Sequence, residues 1–358
     1  IGTGDVRYIK FLRCGASSII GINFYIGRNT EFALIENCYA FGSGRYQYLA
    51  YHANHTIFRQ CIGRLDWVSS SSQPGAIFSV YASTNVEAQN CIAIDSDQSA
   101  RYTLADRQGC FFVPCTDGLS DVVNFRQCLG LNVLLGGVQT ASNSDSRHVL
   151  FDNVSIWDCD DPNAIFNSIR GSYNTIQHCT FGEVASATRF LYWDGANGAL
   201  KNNIICNITC SDHLIFSAPA AQDYNAYYNN SSSYDVRGSH NFTVNPLYDV
   251  LANPTGAVKF IVRIEDGSNL SNKADDAGDI GANVLTLIGQ AGALWGETGY
   301  NADTGAPMWP FPNEDLVRSK MKAYDGGGVS GNRGFCAHGT RLTQYIWEYL
   351  GHPTPQEM

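Results

Sequence analysis

Two stretches, "RLDWVSSSSQPGA" and "DSDQSARYTLADRQGCFFVPCTDGLSD", hold a dense set of side chains able to act on a ligand. Trp67 and Tyr102 offer flat rings of the kind that stack on sugars. Asp95, Asp97, Asp106, Arg101 and Arg107 offer acid, base or ionic contacts beside them. The competing reading of the same residues is a solvated loop with ordinary polar side chains. A second group, "DCDDPN", sets Asp158, Asp160 and Asp161 in one turn, and close carboxylates suit a hard cation such as calcium. EF-hand spacing is missing, so a solvated turn competes there too. His52 and His55 flank one turn without a third ligand in the pattern and read as surface histidines. Sequons at Asn54, Asn207 and Asn241 arise readily from an Asn- and Ser-rich composition.

Composition narrows the elements that must carry these groups. The 358 residues carry a formal net charge of −10, only 16% are charged, and 35 glycines accompany 12% aromatics. Typical soluble domains are about 25% charged, so this is a turn-rich β composition. No basic patch stands out, which argues against nucleic acid, and no apolar run approaches the roughly 18 residues of a membrane span. The chain begins without Met or a signal peptide and reads as a mature or truncated form. Its 12 cysteines suggest disulfides at first sight, yet no CxxC occurs.

The cysteines instead mark a repeat. Cys14, Cys38, Cys61, Cys91, Cys128, Val154, Cys179 and Asn203 follow one another at 24, 23, 30, 37, 26, 25 and 24 residues. Three positions earlier stand Phe11, Ile35, Phe58, Ala88, Phe125, Phe151, Ile176 and Leu200. One position earlier stand Arg13, Asn37, Gln60, Asn90, Gln127, Asn153, His178 and Asn202; two positions later stand Ala16, Ala40, Gly63, Ala93, Gly130, Ile156, Phe181 and Ile205. Tyr25, Tyr48, Phe78, Phe166 and Phe190 lie 13 residues before five of the anchors. Constant spacing here forces the length variation to one side, as in a solenoid whose loops grow at one corner. Stacking at the strand spacing of about 4.8 Å aligns like residues into ladders, and Cys14, Cys38, Cys61, Cys91, Cys128 and Cys179 form one, being small and apolar enough for a bend inside a narrow core. Cys110 with Cys115, and Cys206 with Cys210, are off that ladder and are the two candidate disulfides. The column two before the anchor, including Glu36, Arg59, Gln89, Arg126 and Lys201, reads as a solvated sheet face or as a floor for a polymer.

The apolar-x-x-Asn-x-apolar rhythm of "LKNNII" and its cysteine variants resembles right-handed parallel β-helix proteins of the pectate-lyase-like superfamily. "DYNAYYNN", "NPLYDV" and "DDAGDIGA" look like the closing coils of the bacterial cell-surface type. On that likeness Asp275, Asp276 and Asp279 are turn architecture rather than a ligand set. The resemblance covers roughly residues 7 to 282 and implies architecture. Activity does not follow, because such folds carry lyases, hydrolases, epimerases, adhesins and spikes. The paired-Asp and Gly-His-Gly motifs of polygalacturonase-like hydrolases are absent, and no lysine sits in a recognisable lyase motif.

The expected fold is therefore all-β: a right-handed parallel β-helix over 1–282 and a partly helical segment over 283–358. In that segment Asn313 is the expected N-cap of one helix and Gly351 the end of another. The segment is expected to cover the open edge of the last coil, or else to dock a partner. The first coil has no evident cap, which an upstream domain or another subunit would supply. The function expected is extracellular or cell-surface recognition of polysaccharide, with or without its cleavage by a lyase or hydrolase. The alternative is a non-catalytic structural, adhesive or fibre-forming subunit, a homo-oligomer.

Overall fold

The computed structural model describes residues 5–17, 21–66, 75–96, 109–113, 120–133, 138–140, 148–159, 169–170, 173–186, 189–194, 197–217, 219–231, 237–243, 245, 258–326 and 328–358. Among the described residues each coil supplies three short strands, except the last, which supplies two. One sheet of nine parallel strands runs from Val6–Leu12 to Ala221–Asp223 (face A). Another of nine runs from Gly15–Ser17 to Ala226–Tyr228 (face B). Face C holds a five-stranded sheet, starting with Ile22–Ile26, Tyr46–Tyr51 and Ala76–Tyr81, and a three-stranded one. The chain is an all-β parallel β-helix with a small helical C-terminal segment.

The ladders are the ones the repeat demands. Phe11, Ile35, Phe58, Ala88, Phe125, Phe151, Ile176 and Leu200 pair in unbroken register along face A. Ala16, Ala40, Gly63, Ala93, Gly130, Ile156, Phe181 and Ile205 do so along face B. The small residues have a steric cause: a Cβ on Gly63 would lie 2.3 Å from the Ile77 side chain. Between the two faces, Arg13, Asn37, Gln60, Asn90, Gln127, Asn153, His178 and Asn202 all take the left-handed backbone conformation, with φ from 48° to 60°. That conformation turns the corner in one residue, and Asn tolerates it better than most.

The anchor ladder does more than fill space. The thiols of Cys61, Cys91, Cys128 and Cys179 lie 3.3–3.5 Å from the carbonyls of Ile35, Phe58, Ala88 and Phe151 on the preceding coil. Where cysteine gives way to Asn203 and Asn225, their amides donate to the equivalent carbonyls of Ile176 and Leu200 at 3.1 and 2.8 Å. The position selects a small donor, and Cys and Asn both meet that need. Burial pushes the Cys91 and Cys179 thiols up, so they stay protonated donors. Cys206 and Cys210 carry thiols with no disulfide between them: Cys206 faces the C-terminal segment and Cys210 the solenoid interior. The left-handed turn at Asn207 aims them apart. Cys110 is likewise a thiol, beside Cys159, and Cys115 lies outside the described residues.

The aromatic column on face C shifts by one place in its first coil. Phe24, not Tyr25, stacks on Tyr48 at 5.1 Å, and Tyr25 pairs with Leu49. The corner after Ile26 is one residue longer than that after Ala50, which rotates Tyr25 to the outer surface. Phe111 pairs with Phe78 and carries the column on; Phe166 lies outside the described residues.

The C-terminal segment begins by residue 258 rather than at 283, since the last strand of the parallel sheets is Ala226–Tyr228 and residues 258–282 pack with the segment's own apolar side chains. It lies along the flank of the solenoid. Its described contacts run from Lys10, which donates to the Gly292 carbonyl at 2.7 Å, to Lys201, paired with Asp275 at 2.8 Å. It covers an outward apolar surface on face B built from Phe41, Ile62, Ile92, Ile94, Leu129, Leu131, Trp157 and Ile204. Against these pack Met308, Phe311 and the short helices α1 (Glu314–Lys322), α2 (Phe335–His338) and α3 (Leu342–Trp347). The corner asparagines serve as docking groups: Asn90 donates to the Thr286 carbonyl and accepts from Ile288 N–H, both at 2.7 Å. The column two before the anchor is consequently no solvated face in the early coils. Arg59 is 1% exposed and Gln89 0%, because Arg59 pairs with Glu36 at 3.2 Å and donates to the carbonyls of Gln290, Ala293 and Tyr300. Asn313 precedes α1 but makes no side-chain cap; it is left-handed, and its carbonyl accepts from Val317 N–H.

Asp275 ties this segment to coil eight, and hydrogen bonds from Lys201 and Asn202 hold its carboxyl below the usual carboxylate range. A depressed pKa contributes stability that is present above the unfolded-state value near 4 and is lost as pH falls through the lower folded value. Asp275→Asn is therefore expected to flatten the acid limb of a stability-versus-pH curve below about pH 4. Denaturant melts of the two proteins across that range check this, and parallel curves would refute it.

Candidate functional site

Because the first corner is longer, Tyr25 turns outward and opens a cleft on face C. It has a volume of about 210 Å³ and is lined by Ile22, Tyr25, Arg45, Tyr46, Leu49, Tyr51 and Tyr81. Three consecutive strands supply the rings. Tyr51 and Tyr81 are register partners, with centroids 6.2 Å apart, and Tyr25 sits 6.2 Å from Tyr51. Tyr46 and Tyr81 share a hydroxyl contact of 2.9 Å at the back, and both are nearly fully buried. Tyr25 is 50% exposed at the mouth.

Two guanidinium groups frame the rings. Arg45 lies 4.8 Å from the Tyr46 centroid, and Arg28 lies 5.3 Å from that of Tyr51 while donating to its hydroxyl at 3.2 Å. Such contacts hold the cations near the aromatic faces. Among the described residues the buried Nε of Arg45 has no hydrogen-bond partner. Burial raises the Tyr25 phenol, as does neighbouring Tyr51, against an opposing pull from Arg28. The phenol thus remains a neutral donor and acceptor at physiological pH.

The structure disposes of the sequence-derived candidates unevenly. Trp67, Asp97, Arg101, Tyr102, Asp106 and Arg107 lie outside the described residues, as do Asp160 and Asp161. By chain order the first insertion ends where Ala76 opens its strand on face C, and Ala76 pairs with Tyr46 of the cleft. Asp95 is a correction. It is fully buried, accepting from Phe335 N–H at 2.9 Å and Asn132 Nδ2 at 2.6 Å, so it fastens the C-terminal segment and cannot reach a substrate. Burial pushes its carboxyl up, against the Phe335 N–H and the Arg333 charge, which favour the ionised form. Asp158 accepts from the Tyr349 hydroxyl. Among the described residues no group of three or more His, Cys, Asp or Glu side chains is placed to hold a metal ion.

Sequence reasoning missed Tyr25, Tyr46, Tyr51, Tyr81, Arg28 and Arg45 as a group. The signal was present as four tyrosines and two arginines confined to the strands and first turns of three adjacent coils. Compared with known proteins, the chain matches no family model, no curated protein and no solved structure. What fold and site define is a class: a parallel β-helix with an aromatic, arginine-framed cleft on one face.

Proposed function

We propose that the protein is an extracellular or cell-surface solenoid that recognises polysaccharide at the face C cleft. The observation that supports this reading is the cleft itself, with tyrosine rings from three consecutive strands beside the Arg45 and Arg28 guanidinium groups. Tyrosine presents a broad apolar face with a hydroxyl at its tip, which suits a sugar ring having both C–H and O–H surfaces. Arginine adds planar donors for hydroxyl or acidic substituents. The described lining supplies rings and a guanidinium, which is binding chemistry, and the reading is accordingly recognition.

Tyr25→Ala and Tyr51→Ala are each expected to weaken glycan binding about tenfold, or roughly 1.4 kcal/mol. Tyr25→Ala should leave stability within about 0.5 kcal/mol, since its side chain is largely at the surface. A glycan array followed by titration of the best ligand, together with an assay for new reducing or unsaturated ends, tests the proposal. A wild-type protein blank across diverse polymers would reject it.

A second reading, a structural, adhesive or fibre-forming subunit, draws on the exposed rim of the first face A strand. Val6, Tyr8, Phe11 and Leu12 there are 39–65% exposed. Self-association on concentration, seen by sedimentation and electron microscopy, would favour it; monomers throughout would count against it.

A further inference from the structure

A separate cavity of about 290 Å³ opens in the C-terminal segment, lined by His338, Thr340, Tyr345, Glu348 and Tyr349. Small-molecule sites span roughly 300–1,000 Å³, so it is sized for a small ligand. Its rings meet at steep angles: His338 and Tyr345 at 5.0 Å and 62°, Tyr345 and Tyr349 at 5.7 Å and 74°. This differs from the near-parallel stacks of the solenoid core, such as Phe125 on Phe151 at 5°. Rings set across one another turn their negative faces in several directions around a shared space, which is how aromatic side chains surround an organic cation.

The charges around the cavity favour the same sign of ligand. Glu348 lines it and, among the described residues, accepts only neutral donors, from Gln344 at 3.2 and 3.3 Å and from the Thr354 N–H and hydroxyl at 3.3 and 3.1 Å. Asp158 stands behind Tyr349, held by its hydroxyl. Among the described residues neither carboxylate has an ion-pair partner. The Thr340 hydroxyl oxygen is buried without a hydrogen-bond partner among the described residues. Arg318 approaches Gly339 from α1 but does not line the cavity. Burial, and for Tyr349 also the Asp158 carboxylate, pushes both phenols up, so they remain neutral rings at physiological pH.

We propose that this cavity binds a small quaternary ammonium ion, its charge set against the Tyr345 and Tyr349 rings and balanced by Glu348 and Asp158. An anion would meet the Glu348 carboxylate, which has no ion-pair partner among the described residues. A compact metal ion would need several oxygen ligands at short range, and Glu348 is the one carboxylate among the lining residues. The site is remote in sequence from the face C cleft and does not depend on that cleft binding glycan.

The test is calorimetric titration of the full chain with choline and with its neutral isostere 3,3-dimethyl-1-butanol. Choline is expected to saturate one site, with the isostere at least tenfold weaker. Tyr345→Leu and Glu348→Gln should each weaken choline at least fivefold. Glu348→Gln keeps the side chain's size, and an unchanged thermal melt establishes that its effect is on binding. Saturation-transfer NMR on the wild-type protein, reading transfer to the choline methyl groups, tests the contact without any variant. Cosedimentation with phosphatidylcholine vesicles that free choline reverses would support a headgroup as the source; choline binding without cosedimentation would support a free ion. Equal binding of the isostere, no saturable choline binding, or displacement of choline by equimolar calcium would each overturn the proposal.

Discussion

Replacing Arg64 with alanine is expected to destabilise the protein by about 3–5 kcal/mol, the cost of leaving a buried charge without its partner. Arg64 is fully buried on face B, paired with Asp66 at 2.9 Å, and it donates to the Gly331 and Met321 carbonyls at 2.8 and 3.0 Å. Asp66 is fully buried as well and takes a second ion pair from Arg333 at 2.5 Å. The variant therefore strands part of a carboxylate's charge, the Met321 carbonyl at the end of α1 and the Gly331 carbonyl in the loop before α2 in one step. It should also loosen α1 and α2 from the solenoid, since these are the elements it holds. Urea melts measure the loss, and hydrogen exchange over residues 314–338 locates it. A change under 1 kcal/mol would show that the Arg64 network does not hold the C-terminal segment. Arg64→Lys should recover only a fraction, because one ammonium cannot reach three acceptors in the same plane.

Phe125→Ala is expected to cost a similar 3–5 kcal/mol, for a different reason. Phe125 is 1% exposed, stacks on Phe151 at 4.9 Å and touches Phe111 at 5.0 Å. Ala88 precedes it in the same ladder, so truncation would set two small residues side by side and open a void that neighbouring coils cannot close without breaking register. Phe125→Leu should cost less, about 1.5 kcal/mol, since most of the volume survives. Chemical denaturation of the pair checks the order. Glycan binding at the face C cleft should be unchanged in both, because the defect lies in the interior.

The solenoid was legible in the sequence because stacked coils repeat the same environment, so one column of residues reports one position in space. The Phe11-to-Leu200 and Ala16-to-Ile205 columns needed no long-range information. The role of the C-terminal segment was not legible from its own residues. Its trace lay elsewhere, in the positions one and three after each anchor, where Ile62, Ile92, Leu129 and Ile204, and Phe41, Ile94, Leu131 and Trp157, face outward on a sheet that would otherwise meet water. An apolar outer column implies a cover. Reading only the inner columns left Glu36, Arg59 and Gln89 assigned to a solvated face, and Asp95 to a ligand groove. Charged residues are almost always exposed unless paired, and the partners here come from residues more than two hundred positions away.

The cleft shows the same division. Sequence alone determined that face C carries aromatic residues beside the corner where the loops grow. Tertiary structure decided which of them face outward. One extra residue after Ile26 moved Phe24 inward and Tyr25 to the surface, and in a strand a shift of one place exchanges the two faces. Local spacing fixes a rung, because each coil sees only its neighbours. Which rung surfaces are open, covered or cleft depends on a chain segment that returns along the whole length, and no periodicity within the repeat encodes that return.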